Sequence, residues 1–393
     1  MADEGERRSF LGLHLDLFFR SGDRSPRDEP SAAEQVQLWN VPWRKRFRKS
    51  SINIALSECS ENPQTVSSMK QRMVKESMSR RQLLRFLVLA GLAPSICAAE
   101  AMAAVVAKPV AESVWFVQGE AALGSAANRN FISNAGFVVT DEGVVVIDAL
   151  GSPTLANELI AEIRRVTRQP IRYVIVTHFH ADHIYGLQAF KAAGATVIAN
   201  ARGKEYLNSD TAQRRLEASR QELFPWIDEQ TRLLAADRWL EAEESTLRVG
   251  SFDFVLRHVG PAHTPEDLVV FVPRRAVLFA GDLVFRGRIP FVGQADSRQW
   301  IDSLGRLIEF KPKVMVPGHG PLSEDPVPDL QLTRDYLVYL RKTMAEAALN
   351  LEPFEDAYAK ADWSRFEHMP LFRAANRMNA YNTYLLLEQQ GAK

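Results

Sequence analysis

The chain has 393 residues, 46% of them hydrophobic, which is enough for a sizeable core and more than one typical domain requires. Its 48 basic residues balance 48 acidic ones, so a nucleic-acid binder relying on a strong positive field is excluded. The two cysteines, Cys59 and Cys97, both precede the part that reads as a folded domain, which excludes a disulfide framework there.

Residues 1–77 mix basic runs, such as Trp43-Arg44-Lys45-Arg46-Phe47-Arg48-Lys49, with Ser, Pro and Glu and show no sustained periodicity. At Met78-Ser79-Arg80-Arg81-Gln82-Leu83-Leu84-Arg85 a charged start leads into the apolar stretch Phe86–Cys97 and then into small residues up to Ala104. Residues 78–104 therefore read as a secretory signal, and the Arg80-Arg81 pair resembles a twin-arginine export signal. The apolar stretch is too short to anchor the chain in a bilayer. Such signals act at a true N-terminus, so translation is expected to begin at Met78, or at Met69 or Met73. Residues 1–77 are then an over-extended start or a leader without a fold. The expected location is the periplasm, with no stable membrane anchor once the signal is removed.

From about Ser113 the pattern becomes that of a folded unit, expected to span 105–325. Val114, Phe116 and Val117 predict a strand, and Phe131–Thr140 and Val144–Asp148 predict two more around the turn Asp141-Glu142-Gly143. Ser152 suits an N-cap with Pro153 at the first helical position, and Leu155, Leu159, Ile160, Ile163 and Val166 recur at helical spacing before Pro170. A buried strand at Tyr173–Val176, a helix with Leu187, Phe190 and Lys191, and a strand at Ala195–Ala199 follow. This strand–helix–strand order points to layered α/β architecture. Residues 201–240 read as a charged helical insert interrupted by Leu223-Phe224-Pro225-Trp226-Ile227. Its apolar residues either pack on the domain, the favoured reading, or present Phe224 and Trp226 to a substrate. Strands return at Thr246–Val249, Phe252–Val259, Leu268–Val272 and Ala276–Phe279. A helix capped by Asp296 or Ser297 carries Trp300, Ile301, Leu304, Leu307 and Ile308, and Lys313–Val316 is the last strand. Residues 326–393 form a helical extension, with helices at Leu330–Leu349, Pro353–Lys360 and roughly Leu371–Gln389.

The chemistry concentrates at strand ends. Thr177-His178-Phe179-His180-Ala181-Asp182-His183 places three histidines and an aspartate within six residues, just past a buried strand. Neutral imidazole and carboxylate are the ligands zinc takes where its site stays reactive. Alternate residues of an extended loop point to one side, so His178 and His180 are expected to grip one ion while Asp182 and His183 turn to a second. Three later turns each add one candidate: His263 in Gly260-Pro261-Ala262-His263-Thr264-Pro265-Glu266-Asp267, Asp282 after Gly281, and His319 in Pro317-Gly318-His319-Gly320. Each alone is usually only a solvated loop residue. Together they complete two ligand sets: His178, His180 and His263 for one metal, Asp182, His183 and His319 for the other, with Asp282 reaching both. Asp148 and Thr177 are candidates for orienting the ligand imidazoles from behind. His14, His258 and His368 are left without a role in the site.

These motifs, in this order and on two α/β halves, resemble the metallo-β-lactamase superfamily over about Val114–Leu322. The resemblance implies a four-layer αββα sandwich with metals at the sheet edges. Gly260–Pro273 and Asp296-x-x-x-Trp300-x-x-Ser303 are similar to stretches of true zinc β-lactamases. Three positions depart from those enzymes. Asp282 stands where they carry cysteine, as in glyoxalase II and other hydrolases of the superfamily. Phe285 replaces the lysine that grips the substrate carboxylate, although Arg286 and Arg288 are near, and Phe291 replaces an asparagine that polarises the substrate carbonyl. With the export signal and the helical tail, the chain looks most like exported hydrolases of the quinoprotein-relay or sulfur-oxidation-associated type.

The expected function is that of an exported binuclear zinc hydrolase acting on a small molecule. Two divalent ions about 3.5–4 Å apart lower the pKa of a bridging water toward neutrality, giving a hydroxide that attacks an amide, lactam, ester or thioester carbonyl, or alternatively a sulfur or phosphorus ester. Asp182 is the expected catalytic residue, orienting the nucleophile or passing on a proton. Phe224, Trp226, Arg286 and Arg288 are candidate substrate contacts. Two Zn2+ are the expected cofactors, and Asp282, a harder ligand than thiolate, also tolerates Fe or Mn. The alternatives are a glyoxalase-II-like thioesterase and a metal-binding accessory protein of a periplasmic redox system without turnover.

Overall fold

The computed structural model describes residues 104–293 and 295–391. The expectations for residues 1–77 and for the signal segment before residue 104 lie outside the described residues, as do Cys59, Cys97 and His14. Among the described residues no helix is long and apolar enough to cross a membrane.

Two sheets carry the fold. Strands β1 (Lys108–Ala111), β2 (Val114–Val117), β3 (Ala135–Thr140), β4 (Gly143–Ile147), β5 (Ile171–Ile175), β6 (Thr196–Asn200) and β7 (Arg238–Leu240) form a seven-stranded sheet in that spatial order. Strands β8 (Glu244–Val249), β9 (Phe252–His258), β10 (Leu268–Val272), β11 (Val277–Phe285) and β12 (Val314–His319) form a five-stranded sheet ordered β12-β11-β10-β9-β8. In β9 the buried Phe252, Phe254, Leu256 and His258 alternate with less buried residues, the period of a strand with one face on the core. β11 is buried at every position, as suits a strand covered on both faces.

The side chains between the sheets include Val138, Ile147, Ile175 and Ile198 from the first, and Leu256, Val270, Phe279 and Val316 from the second. Helices α1 (Pro153–Val166), α2 (Ala181–Ile184), α3 (Leu187–Ala192), α4 (Gly203–Leu207) and α5 (Asp210–Glu222) belong to the first half. Leu155, Leu159 and Ile163 of α1 pack with Val144, Val146 and Val174 on the outer face of the first sheet. Helices α6 (Ser297–Ile308), α7 (Pro326–Leu349), α8 (Phe354–Lys360) and α9 (Phe372–Gln389) follow the second sheet or interrupt it. Trp300, Leu304 and Leu307 of α6 share one core with Leu278 and Met315 of the sheet and with Leu337, Leu340 and Leu387 of α7 and α9. Fully burying each such side chain contributes about 1.5–3 kcal/mol. The architecture is the expected four-layer αββα sandwich, with the C-terminal helices in the outer layer.

The caps behave as read from the sequence. Ser152 Oγ accepts the Leu155 N–H at 3.3 Å at the start of α1. Asp296 accepts from Arg298 N and Gln299 N, both at 3.1 Å, to open α6. Several boundaries differ, and α7 begins at Pro326 rather than Leu330. β3 begins at Ala135 rather than Phe131, because the intervening residues leave the sheet for the site described below. β11 continues beyond Phe279 to Phe285, and β12 continues to His319. β1 and β7 are short edge strands of four and three residues, too brief to show a period.

Candidate metal centre

Seven side chains from five chain segments converge where β5, β11 and β12 end. His178 and His180 leave β5 on a loop, and His263 comes from the β9–β10 connection. Asp282 lies within β11 and His319 ends β12. Asp182 and His183 lie on the one-turn helix α2 rather than on the extended loop expected from alternation. The helical turn, not strand alternation, places their ligand atoms in the second group, although the His183 ring lies 4.3 Å from that of His178. The ligand atoms fall into two groups, His178, His180, His263 and Asp282, and Asp182, His183 and His319, with the atoms of each group within 4.8 Å of one another.

Two glycines permit this closeness. Gly281 has φ +54°, and a Cβ there would meet Thr177 at 3.0 Å. A Cβ on Gly318 would stand 2.0 Å from Asp282 Oδ1. The parallel register of β11 and β12 shifts beside these glycines, which brings Asp282 and His319 together.

The hydrogen bonds around the cluster set the histidine tautomers. Asp148 accepts Thr177 N–H at 2.8 Å on Oδ1 and Thr177 Oγ1–H at 2.9 Å on Oδ2, and the same Oδ2 lies 2.9 Å from His183 Nδ1. With its proton given to Asp148, Thr177 Oγ1 accepts from His178 Nδ1 at 3.0 Å. Ile132 O accepts from His319 Nδ1 at 2.7 Å. The Nδ1 atoms of His178, His183 and His319 therefore carry the proton of the neutral ring, which leaves Nε2 as the inward-facing ligand atom of each. His178 Nε2 lies 3.2 Å and His263 Nε2 3.0 Å from His180 Nδ1, lone pairs converging on one space. Asp282 Oδ2 is 3.2 Å from His319 Nε2 and 3.5 Å from His263 Nε2, while its Oδ1 is 3.1 Å from His183 Nε2. His183 Nε2 and Asp282 Oδ1 are buried with no hydrogen-bond partner. Inward bare nitrogens, carboxylates and orphaned buried polar atoms are what divalent ions of the zinc type require, and the residues fit them.

Charge follows the same division. Burial holds His178 well below the ordinary imidazole range and pushes His263 down to about 3. Burial opposes charge on His183 and His319 too, but Asp282 and Asp182 outweigh it and raise both. Burial would raise Asp282, yet His319 and His183 hold it well below the usual carboxylate range. Asp182 is held low against burial by His183 and His319.

The four candidate substrate contacts separate. Arg288 is 4% exposed, with Nη1 3.4 Å from His319 Nδ1 and its guanidinium over the Phe285 ring. His319 Nδ1 already donates to Ile132 O, so it cannot accept from Arg288. Arg288 Nε has no partner, and among the described residues no carboxylate lies within 4.0 Å of the guanidinium. Arg286 instead donates to Asp329 at 2.6 Å and to Leu322 O at 3.0 Å, so its head is committed to the fold. Trp226 Nε1 donates to Ala126 O at 2.7 Å, which ties that ring to the β2–β3 loop. Phe224 is 66% exposed, while Leu223 and Ile227 are buried as the packing reading expects. Among the described residues no ring contact joins Phe224 or Trp226 to the cluster histidines. Phe285, at the lysine position of the lactamases, stacks on His319 at 4.9 Å and 6°, and Phe291 is 38% exposed. His258 contacts Pro265 O at 2.9 Å, outside the cluster, and His368 is exposed.

Sequence reasoning missed the residues that hold the cluster from the β2–β3 loop. Beyond Ile132 O, Ser133 Oγ donates to Asp182 O at 2.5 Å. Asn134 Nδ2 donates to Pro317 O and Gly320 O, both at 2.8 Å, and Asn134 N donates to Gly318 O at 2.7 Å. Glu266, beside His263, accepts Phe179 N–H at 3.1 Å and so fixes the backbone between His178 and His180. The available signal was Ser133-Asn134 itself, two turn-forming residues inside an otherwise apolar run.

The sequence model of the metallo-β-lactamase superfamily matches residues 128–319, the span that holds the cluster. A linear primary-alkylsulfatase of Pseudomonas sp. is 27% identical over 238 residues, covering 51% of this chain and 44% of that protein. The metallo-β-lactamase IND-1 of Chryseobacterium indologenes is 22% identical over 244 residues, covering 61% of this chain and 92% of that one. The solved inverting sec-alkylsulfatase Pisa1 of Pseudomonas sp. matches with TM-score 0.57 at 18% identity, over 72% of this chain and 50% of that chain, a likeness of fold. The chain thus spans about half the length of the alkylsulfatases it matches. With the matched span, the two sheets and the His/Asp cluster in agreement, residues 128–319 form a metallo-β-lactamase superfamily domain.

Proposed function

We propose that the protein is an exported binuclear zinc hydrolase acting on small molecules that carry an anionic group close to the bond to be cleaved. The observation that carries the reading is the pair of converging donor sets, with orphaned His183 Nε2 and Asp282 Oδ1 between them. His178, His180 and His263 would hold one ion, Asp182, His183 and His319 the other, with Asp282 shared. The donor set suits zinc, and Asp282 admits Fe or Mn as well. When bound, such ions supply a nucleophile at neutral pH and Lewis-acid polarisation of the attacked bond.

The chain's own groups do the rest. Asp182, 3.3 Å from His319 Nε2 and 3.5 Å from His183 Nε2, has a side chain 15% exposed, more open to the site mouth than Asp282 at 4%. Ionised, it can orient an attacking water or accept its proton. Arg288 supplies a buried positive charge that Asp282 and Asp182 feel at longer range but that, among the described residues, no carboxylate pairs within 4.0 Å. A buried cation without a directly hydrogen-bonded carboxylate is costly, so an anionic substrate group is its natural close partner. A sulfate ester or a carboxylate-bearing ester meets this requirement, and the alkylsulfatase relative supports the first. Phe285 and Phe291 leave the lactamase carbonyl and carboxylate contacts unfilled, which ranks β-lactams lower. Asp282 and the C-terminal helices also support the relay-system or sulfur-oxidation subtype.

A panel of alkyl sulfates, carboxylate-bearing esters, thioesters, lactones and nitrocefin, offered to the zinc-loaded protein, tests the reading. Turnover of at least one anionic ester is expected; two bound metals with every substrate inert would sink it in favour of an accessory role. Arg288→Ala is expected to raise KM for an anionic substrate about tenfold or more, with kcat/KM for a neutral analogue little changed. Equal losses on both substrates would contradict the anion-holding role. Asn134→Ala is expected to weaken the second ion roughly 10–100-fold, because the turn bearing His319 loses both side-chain donors. Competition against a chelator reads this directly, and unchanged affinity would assign Asn134 to the fold alone.

Export is part of the same proposal, with 78–104 as the signal, 105–325 as the catalytic unit and 326–393 as its helical extension. Terminal sequencing of the mature native protein is expected to begin near residue 105. A mature chain retaining Arg80 and Arg81 would contradict removal of the signal.

A further inference from the structure

The loop that follows β11 carries Arg288, and its backbone is held by the C-terminal helices, which lie beyond the family-matched span. Arg286 at its start donates to Asp329 of α7 at 2.6 Å. Ile289 N donates to Pro370 O at 3.0 Å. Asn379 of α9 spans the bend: its Oδ1 accepts Val292 N–H at 2.9 Å and its Nδ2 donates to Pro290 O at 2.7 Å. Asn382, one turn further along α9, donates to Gly293 O at 2.9 Å.

Asn379 is fully buried, an expensive place for an amide unless every polar atom is satisfied. Its remaining donor capacity goes to Tyr336 Oη at 2.9 Å, and Tyr336 in turn donates to Asn376 Oδ1 at 2.9 Å. The amide thus sits in a polar network joining α7 and α9 to the loop. Among the described residues no hydrogen bond or ion pair links 326–391 to the seven cluster residues. Their polar ties to the site run instead to the segment that presents Arg288.

We propose that Asn379 is a positioning residue that fixes the Arg288 loop, so that the C-terminal helices set how the anionic end of the substrate is held. This rests on the reading of Arg288 as the anion-holding group. With Asn379 and Asn382 in place, the backbone from 289 to 293 has one conformation and the guanidinium keeps its place beside His319. Without them, Pro290 O and Val292 N must find water, the loop relaxes and the buried cation swings from the site. The ions are untouched.

The experiment uses the full metal-loaded chain and inorganic sulfate as probe, with binding followed by calorimetry and metal content measured in parallel. Amide exchange at Ile289 and Val292 reports the loop. Arg288→Ala is expected to lose sulfate. Asn379→Ala is expected to weaken it roughly tenfold, with faster exchange at Val292 and unchanged metal content, consistent with loss of two buried hydrogen bonds. Asn382→Ala gives a smaller effect in the same direction; being half-buried with a single such bond, it decides the question if Asn379→Ala fails to fold. Sulfate retained by both asparagine variants but lost by Arg288→Ala overturns the positioning role alone. Equal sulfate affinity in the parent chain and Arg288→Ala removes the Arg288 reading, and the positioning role with it.

Discussion

Replacing Asp282 with alanine is expected to lower kcat/KM on the order of a thousandfold or more and to leave the protein unable to keep two ions. Its carboxylate reaches imidazoles of both ligand groups. Its Oδ2 lies within 3.7 Å of His178, His263 and His319 Nε2, and its Oδ1 is 3.1 Å from His183 Nε2. Removing the carboxylate strips the anionic centre between two sets of imidazoles. Asp282→Asn, which keeps the shape and loses the charge, is expected to fall nearly as far. Asp282→Glu, one methylene longer at a site 4% exposed, is expected to bind metal but turn over poorly. Steady-state kinetics on an accepted substrate, with metal content measured on the same preparations, checks all three. Activity within tenfold of the parent chain in Asp282→Ala would remove Asp282 from the centre of the site.

Stripping the metal is expected to cost about 4 kcal/mol of stability for ions held at a thousand times their dissociation constant, lowering the unfolding midpoint by roughly 10 °C. The cause is local. The inward nitrogens of His178, His180 and His263 lie about as close as hydrogen-bonded atoms with few protons to share, and Asp282 Oδ1 and His183 Nε2, 3.1 Å apart, have no hydrogen-bond partner. Ions satisfy these groups in the folded chain and cannot do so once the five segments separate. Thermal unfolding with and without a chelator reads the difference, and adding zinc back is expected to restore it. In Asp282→Ala the chelator-dependent shift shrinks. A midpoint indifferent to chelator would contradict the two-ion reading.

The sequence made the seven cluster residues visible because each sits at a strand end beside glycine or inside the His-x-His-x-Asp-His run, where chain order alone marks it. The layers were visible because Leu155, Leu159 and Ile163 repeat at helical spacing and the strand runs are short and apolar. What stayed hidden is long-range. Nothing in Ser133 or Asn134 says that they reach Asp182 or the turn at His319, about 50 and 180 residues away in sequence, because such hydrogen bonds exist only once two sheet edges meet. The run Phe131–Asn134 looked like strand for the same reason: its composition is right, but its polar groups are spent on the site. Arg286 and Arg288 were indistinguishable by composition. Asp329, on α7, claims one and leaves the other facing the cluster. Alternation placed Asp182 and His183 on the correct side for the wrong reason, since a helical turn rather than an extended loop turns them.

Elemental analysis of the zinc-reconstituted, gel-filtered protein, run beside the Asp282→Ala and His263→Ala variants, bears on all of this at once. Two equivalents of transition metal per chain in the parent protein, falling to one or fewer in each variant, is the expected result. Fewer than about 0.2 equivalents in the parent, or an unchanged content in both variants, would mean that the seven side chains do not form a metal centre.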